Sequence, residues 1–262
     1  MTHAGRMATD DEPAPHGAEP VACVENPEGR SPVLLICEHA SNHLPARYGS
    51  LGLRPDELES HIAWDPGALG VARALSRLLD APLVHATVSR LVLDLNREPS
   101  APDSIWTLSE RTIIPANQNL DSDERAYRVR EVYEAFHGAV DRLIEPRAAA
   151  GRTRAVVSIH SFTPVYRDVS RPWQIGLIFD RDERLARGVE AGLGGDPSLI
   201  VGINQPYSPA DRVFHTLERH AERRGLAPLM IEIRNDLIRT QDEQASWANR
   251  LAPLLREGAQ AV

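Results

Sequence analysis

The sequence predicts an α/β fold, a mostly parallel sheet with helices on both faces, and three observations predict it. Short apolar runs alternate with longer stretches of helical period, the pattern of strands joined by crossover helices. The first run, Val33–Ile36, is apolar throughout, as a strand buried on both sides requires. Several runs also end abruptly in polar residues. After Val33–Ile36 come Cys37, Glu38 and His39, at the strand end where an open α/β sheet binds its ligands.

Residues 1–20 are small, polar and proline-rich, the composition of a disordered tail ahead of one domain over 21–262. Val33–Cys37 is the first predicted strand. Residues 40–60 form a loop with turn signals at Leu44-Pro45 and Gly49, then a short helical piece near Asp56 to His61. Asp65-Pro66 starts a helix, a capping residue followed by proline at the first helical position. From there Ala68, Val71, Ala72, Leu75, Leu78 and Leu79 recur at helical spacing.

Two β-runs follow, Pro82–Val88 and Leu91–Leu95, and residues 98–120 form a long aperiodic loop of the kind that covers active sites. Residues 121–145 carry Val129, Val132, Phe136, Val140 and Leu143 on one helical face, with a stop at Glu145-Pro146. Strands at Ala155–Ile159, Ile175–Phe179, Leu199–Ile203 and Leu229–Ile233 alternate with helices over 181–193, 211–224 (capped by Asp211) and 242–257.

Hydrophobic residues at 42% and charged residues at 25% suit a globular core. A net charge of −8 excludes a general nucleic-acid binder, which needs a basic excess to neutralise phosphates. Two cysteines, Cys23 and Cys37, make no disulfide framework. No apolar stretch approaches the roughly 18 residues of a membrane helix, and the first 20 residues lack the apolar core of a secretory signal. The expectation is a cytoplasmic protein, and the sequence does not separate monomer from homodimer.

Chemistry is concentrated at the strand ends. His39 after LLICE and His160 after AVVSI occupy equivalent positions, and imidazoles on rigid neighbouring strands suit Zn²⁺; each serves equally as a hydrogen-bonded core residue. For the third ligand the candidates are Glu38, Asn42 and Asp65. Glu38 adjoins His39 on extended chain and should face the other way, and Asn42 offers a neutral amide. Asp65 is charged, although a helix cap explains it too. In SRLVLDLNR, alternation sets Arg90, Asp94 and Asn96 opposite the leucines, and the two flanking arginines, Arg90 and Arg97, suggest an anion pocket. The competing explanation is an Arg–Asp pair that satisfies itself. Glu232 lies inside the apolar run LMIEI, where a carboxylate is costly unless paired, with Arg234 for instance, or employed as a general base.

Taken together, CEHASNHLP, AWDPGA, SRLVLDLNR, SIHSFTP, NQPYSPADRVFHTLERHAERRGL and MIEIRNDL resemble, in order from about Pro32 to Leu254, the N-formylglutamate amidohydrolase family. The resemblance implies a three-layer fold like that of the zinc carboxypeptidases and aspartoacylases, with a mixed, mostly parallel sheet. It implies a zinc-dependent hydrolase of the amide bond of an N-formyl or other small N-acyl amino acid, with one Zn²⁺ per chain. His39 and His160 would be metal ligands, with Asp65 the candidate third. Glu232 would be the general base and Arg90 would polarise the scissile carbonyl. Asn96 and Arg97 would hold a substrate carboxylate, with Arg234 and Tyr207 as further substrate contacts. The carboxypeptidase His-x-x-Glu pair appears here as His39-x-x-Asn42, and Glu38-His39-Ala40-Ser41 stands where the formylglutamate enzymes often carry Pro-His-Ser-Gly. These departures point to a branch with another acyl-amino-acid substrate, and leave as rivals a peptidase or amidase and a non-catalytic binder of a carboxylated metabolite.

Overall fold

The computed structural model describes residues 19–262, so most of the expected N-terminal tail lies outside the described residues. A seven-stranded sheet forms the middle layer. Its strands are β1 (Ala22–Glu25), β2 (Val33–Cys37), β3 (Leu83–Ala86), β6 (Ala155–Phe162), β9 (Ile175–Ile178), β10 (Val201–Ile203) and β11 (Ala227–Arg234), in the order β1-β3-β2-β6-β11-β9-β10. The central run β3-β2-β6-β11 is parallel, β1 and β9 lie antiparallel to their inner neighbours, and β10 follows β9 in parallel. The sheet is thus mixed and mostly parallel, as expected.

Alternation along the buried central strands sends side chains to two cores. Val33, Leu35, Val157, Ile159, Leu229 and Ile231 meet α2 (Ala68–Leu79), α5 (Arg184–Leu193) and α7 (Gln241–Ala261). Leu34, Ile36, Val84, Val156 and Met230 meet α4 (Ala135–Ala149) and α6 (His215–His220) on the other face. Helices cover both faces, so no strand except the edges has a wet side. Among the described residues no helix is long and apolar enough to cross a membrane.

Several boundaries differ from expectation. Helix α2 starts at Ala68 behind Gly67, whose φ of 83° leaves Asp65 and Pro66 in a turn before the helix. A side chain at Gly67 would place its Cβ 2.4 Å from the Ile238 carbonyl oxygen. The long helix begins with Asp121 accepting a hydrogen bond from the Glu124 amide, runs through α3 (Ser122–Arg128) and a π-turn at Val129–Glu134, and continues past Pro146. Its last turn is tied down by Arg147, which donates to the carbonyls of Gly29 and Ser31 at 2.8 and 2.9 Å.

Leu91–Leu95 is not a strand: the chain turns there, although every residue from Leu91 to Arg97 is buried. Asp211 does not cap a long helix; with Ser208 it closes a single turn at Pro209–Asp211, ahead of α6. The loop over 98–120 holds the small hairpin of β4 (Leu108–Ser109) and β5 (Thr112–Ile113), and a second one joins β7 (Val165–Tyr166) to β8 (Val169–Ser170). Alongside these stand β1, a strand the sequence reading omits, and α1 (Pro55–Glu59), the expected short helical piece.

Candidate active site

The carboxyl ends of β2, β6 and β11 open into a cavity of about 280 Å³. His39, Asp65 and His160 lie on its floor, all buried, with one ligand atom from each within 4.8 Å of the others. Asp65 Oδ2 is 2.8 Å from His160 Nδ1 and 3.4 Å from His39 Nδ1. Both imidazoles therefore direct Nδ1 toward one carboxylate oxygen, and their rings meet edge to face at 4.9 Å. Asp65 caps no helix; the turn made by Gly67 delivers its side chain to the histidines, while its backbone oxygen takes the Ala68 amide.

Both imidazoles turn Nε2 toward a carboxylate behind them. His39 Nε2 lies 2.8 Å from Asp94 Oδ1, and His160 Nε2 lies 3.1 Å from Glu38 Oε2 and 2.7 Å from Ser158 Oγ. A carboxylate on the rear nitrogen fixes the tautomer and orients the front lone pair, the usual support of a metal-ligating histidine. His39 Nδ1 is buried with no hydrogen-bond partner among the described residues. The donor set of two imidazole nitrogens and a carboxylate oxygen suits Zn²⁺ and leaves a fourth position for water or substrate.

The charges fit together. His160 is driven well above the usual histidine range because the carboxylates of Glu38 and Asp65 outweigh its burial. His39 is raised too: burial and Arg90 oppose its charge, but Asp94 and Asp65 prevail. Glu38, in turn, is depressed to about 2 despite burial, chiefly by His160. Each histidine thus faces negative charge on two sides, a field that a dication would satisfy better than protons do.

Glu232 stands beside His160 in the register of β11 on β6, and on its other flank β9 presents Gly176. It is 4% exposed, and among the described residues its Oε2 has no hydrogen-bond partner. Burial first, with the Asp65 charge adding to it, raises its carboxyl to about 7. The expected alternative, a salt bridge to Arg234, does not form: Arg234 pairs with Asp236 at 2.8 Å. A buried, unpaired carboxyl group with that affinity for protons matches a general acid–base catalyst.

The remaining expectations divide. Arg90 lines the cavity, but its guanidinium is bound at 2.5 Å to Asp94 and faces Asp65 at 3.4 Å, so Asp94 does pair with one arginine. Arg97 lines the cavity as well, 3.3 Å from Asp103 and across the Trp106 ring. Asn96 is at the wall, yet its amide is committed to the Val213 carbonyl and the Thr216 amide, which fits it to hold the loop and leaves its side chain little to offer a substrate. Arg234 is not among the lining residues, a correction to its expected role. Tyr207 is, and it accepts a 3.1 Å hydrogen bond from Arg171. Asn42 points away and donates to the Leu58 carbonyl, so the acid that the His-x-x-Asn pattern lacks is supplied instead from Asp65.

Four supporting residues carry no role that residue order alone discloses. Glu38 is no front ligand but backs His160, Ser158 bridges the two, and Trp106 donates to Asp94 Oδ2 at 3.0 Å. Arg171, buried against Tyr166 and Tyr207, is the fourth. Of these only Glu38 left a trace in the sequence, as a carboxylate beside a strand-end histidine. His215 and His220 lie behind the wall, the first against the Tyr133 hydroxyl at 2.6 Å and the second against His137 at 2.7 Å.

The N-formylglutamate amidohydrolase family profile matches residues 31–239. A gene product of Agrobacterium tumefaciens, known from its crystal structure, is 48% identical, with a TM-score of 0.90 over 93% of this chain and 96% of that one. The N-formylglutamate amidohydrolase of Ralstonia eutropha shares the fold at 20% identity, with a TM-score of 0.69 over 93% of this chain and 98% of that one. No curated protein matches the chain significantly. With the profile spanning both histidines, Asp65 and Glu232, the chain belongs to the N-formylglutamate amidohydrolase family, a family of amide-bond hydrolases.

Proposed function

We propose that the protein is a zinc-dependent hydrolase of N-formyl or other small N-acyl amino acids, with N-formylglutamate the first substrate to test. The observation that carries this reading is the convergence of His39 Nδ1, His160 Nδ1 and Asp65 Oδ2, with Asp94 and Glu38 behind the two rings. His39, Asp65 and His160 would hold one Zn²⁺, which when bound lowers the pKa of a water molecule and polarises the scissile carbonyl.

Glu232 removes a proton from the attacking water and passes it to the departing amine nitrogen, so the carboxyl group begins and ends the cycle ionised. The C–N bond of the amide breaks, leaving formate (or another small acid) and the free amino acid. Arg90, held by Asp94 at the cavity wall, keeps positive charge beside the oxygen that gains electrons. Arg97 offers its remaining donors to the substrate's carboxylate, and Tyr207 forms another part of the lining. A cavity of about 280 Å³ falls just below the usual range for drug-sized ligands, which favours a single acylated amino acid over a peptide. The expected partner is therefore a soluble carboxylated metabolite, met in the cytoplasm.

Chelation should abolish N-formylglutamate hydrolysis and added Zn²⁺ should restore it. Hydrolysis indifferent both to chelation and to His160→Ala would sink the reading, while tight zinc binding without turnover of formylglutamate would move the substrate to another acyl group.

A further inference from the structure

A second set of metal-type donors lies on the sheet's edge, away from the cavity. Cys23 of β1 and His85 of β3 are register partners, and Glu25 follows Cys23 by two residues, on the same face. His85 is buried and the other two are half-buried. One donor atom from each residue lies within 4.8 Å of the others.

His85 Nε2 lies 2.9 Å from Glu25 Oε1, so the imidazole and the carboxylate already face each other across the register pair, with the Cys23 side chain beside them. Arg73 reaches the same Glu25 oxygen at 2.8 Å from α2, and its side chain is 44% exposed, free to turn out into solvent.

We propose that Cys23, Glu25 and His85 form a second metal site, for a thiophilic divalent cation of the zinc class. A thiolate, an imidazole nitrogen and a carboxylate oxygen are a zinc donor set, with water as the fourth ligand. Binding releases the Cys23 proton and swings Arg73 off Glu25. The ion's place in the fold also gives it a role. Among the described residues β1 is an edge strand that pairs only with β3, through four residue pairs. A cation joining Cys23 and Glu25 to His85 staples that strand to the sheet.

The test uses the full-length holoprotein. Added Cd²⁺ should give the ultraviolet charge-transfer band of a cadmium thiolate, which the nitrogen and oxygen donors of His39, Asp65 and His160 do not produce. The band should vanish in Cys23→Ser and in His85→Asn and persist in Cys37→Ser, which keeps Cys23. After dialysis against Zn²⁺ the wild type should hold about two ions and Cys23→Ser about one, with amidase activity unchanged and a lower Tm in Cys23→Ser. An ion count that does not fall in Cys23→Ser, or a cadmium band that survives Cys23→Ser, overturns the proposal. Loss of the catalytic reading alone looks different: the thiolate band remains and the Cys23→Ser count falls to zero.

Discussion

His160 of β6 and Glu232 of β11 are register partners on adjacent parallel strands. One strand pairing therefore sets the distance between a candidate metal ligand and the candidate base, without any loop. Because side chains alternate faces along a strand, a slip of one residue would carry Glu232 into the opposite core. The geometry is as rigid as the centre of the sheet, where Ile159, Ile231 and Ile233 are fully buried.

Replacing the base tests that pairing. Glu232→Gln keeps shape and removes proton transfer, so kcat should fall roughly 10²- to 10⁴-fold with KM and zinc content little changed. Steady-state kinetics beside metal analysis provides the check, and wild-type turnover in the variant would exclude Glu232 as base.

The same residue should leave a mark on stability. Its carboxyl is raised from 4.5 to about 7, so the folded state holds the proton more tightly than the unfolded chain does. Ionisation therefore destabilises the fold: nothing is lost at low pH, and the loss grows between the two values and is complete above the upper one. Metal-free Glu232→Gln should be more stable than metal-free wild type by on the order of 3 kcal/mol at alkaline pH, and equal to it in acid. Denaturant melts of the two proteins across pH decide the matter; parallel curves would mean that burial does not set the carboxyl's affinity.

Metal binding should expel protons. Glu38 and Asp65 raise His160 well above the usual histidine range, and Asp94 with Asp65 favours charge on His39. Zinc needs both rings neutral, so about one to two protons should leave per ion bound. Titration calorimetry in buffers of different ionisation enthalpy counts them. A count of zero would show that the rings are neutral before the metal arrives.

Asp94 should matter more than its place behind the wall suggests. Its carboxylate takes His39 Nε2, two Arg90 nitrogens, the Trp106 indole and the Asn96 amide. Asp94→Asn should weaken zinc binding roughly 10- to 100-fold. It should also destabilise the protein by about 2–4 kcal/mol, because Arg90 loses its buried counter-charge. Competition with a coloured chelator and a denaturant melt read the two effects separately.

Opposite Glu232, Gly176 tolerates no side chain: a Cβ there would sit 2.0 Å from the Gln205 carbonyl oxygen and 3.3 Å from Glu232 Cβ. Gly176→Ala should therefore destabilise the fold and lower kcat by displacing the base, with His39, Asp65 and His160 untouched. Unaltered kcat in a stable Gly176→Ala protein would show that this flank leaves room.

Much of this was legible from residue order because the sheet's centre is buried on both sides. Strands there must be apolar, so the polar residues that interrupt or end them, His39, His160 and Glu232, stand out. Leu91–Leu95 misleads for the same reason. Its apolar residues report burial, not extension, and its backbone groups are bonded elsewhere: the Leu91 carbonyl to Asn117, that of Val92 to Arg128, and that of Leu95 to His137. Such donors come from distant parts of the chain and leave no local pattern. Asp65 was ambiguous because a cap and a ligand carry the same side chain; the left-handed Gly67 separates them in space. The contacts of Arg234 and Asn96 left no local pattern because their partners, Asp236 and the Val213 and Thr216 backbone, depend on how loops fold back.

The two small hairpins divide the molecule's capacity for change. The floor of the cavity is built on sheet strands and the α2 turn, whereas much of the rim belongs to irregular chain around β4–β5 and β7–β8, where Trp106, Ser109, Thr163 and Tyr166 stand. Rim and floor can therefore drift at different rates across generations. A lineage could exchange a hairpin, and with it part of the cavity's lining, while inheriting the floor intact. For an engineer this makes the rim a replaceable cassette, and residues 98–120 and 163–174 are where a library for new substrates should begin.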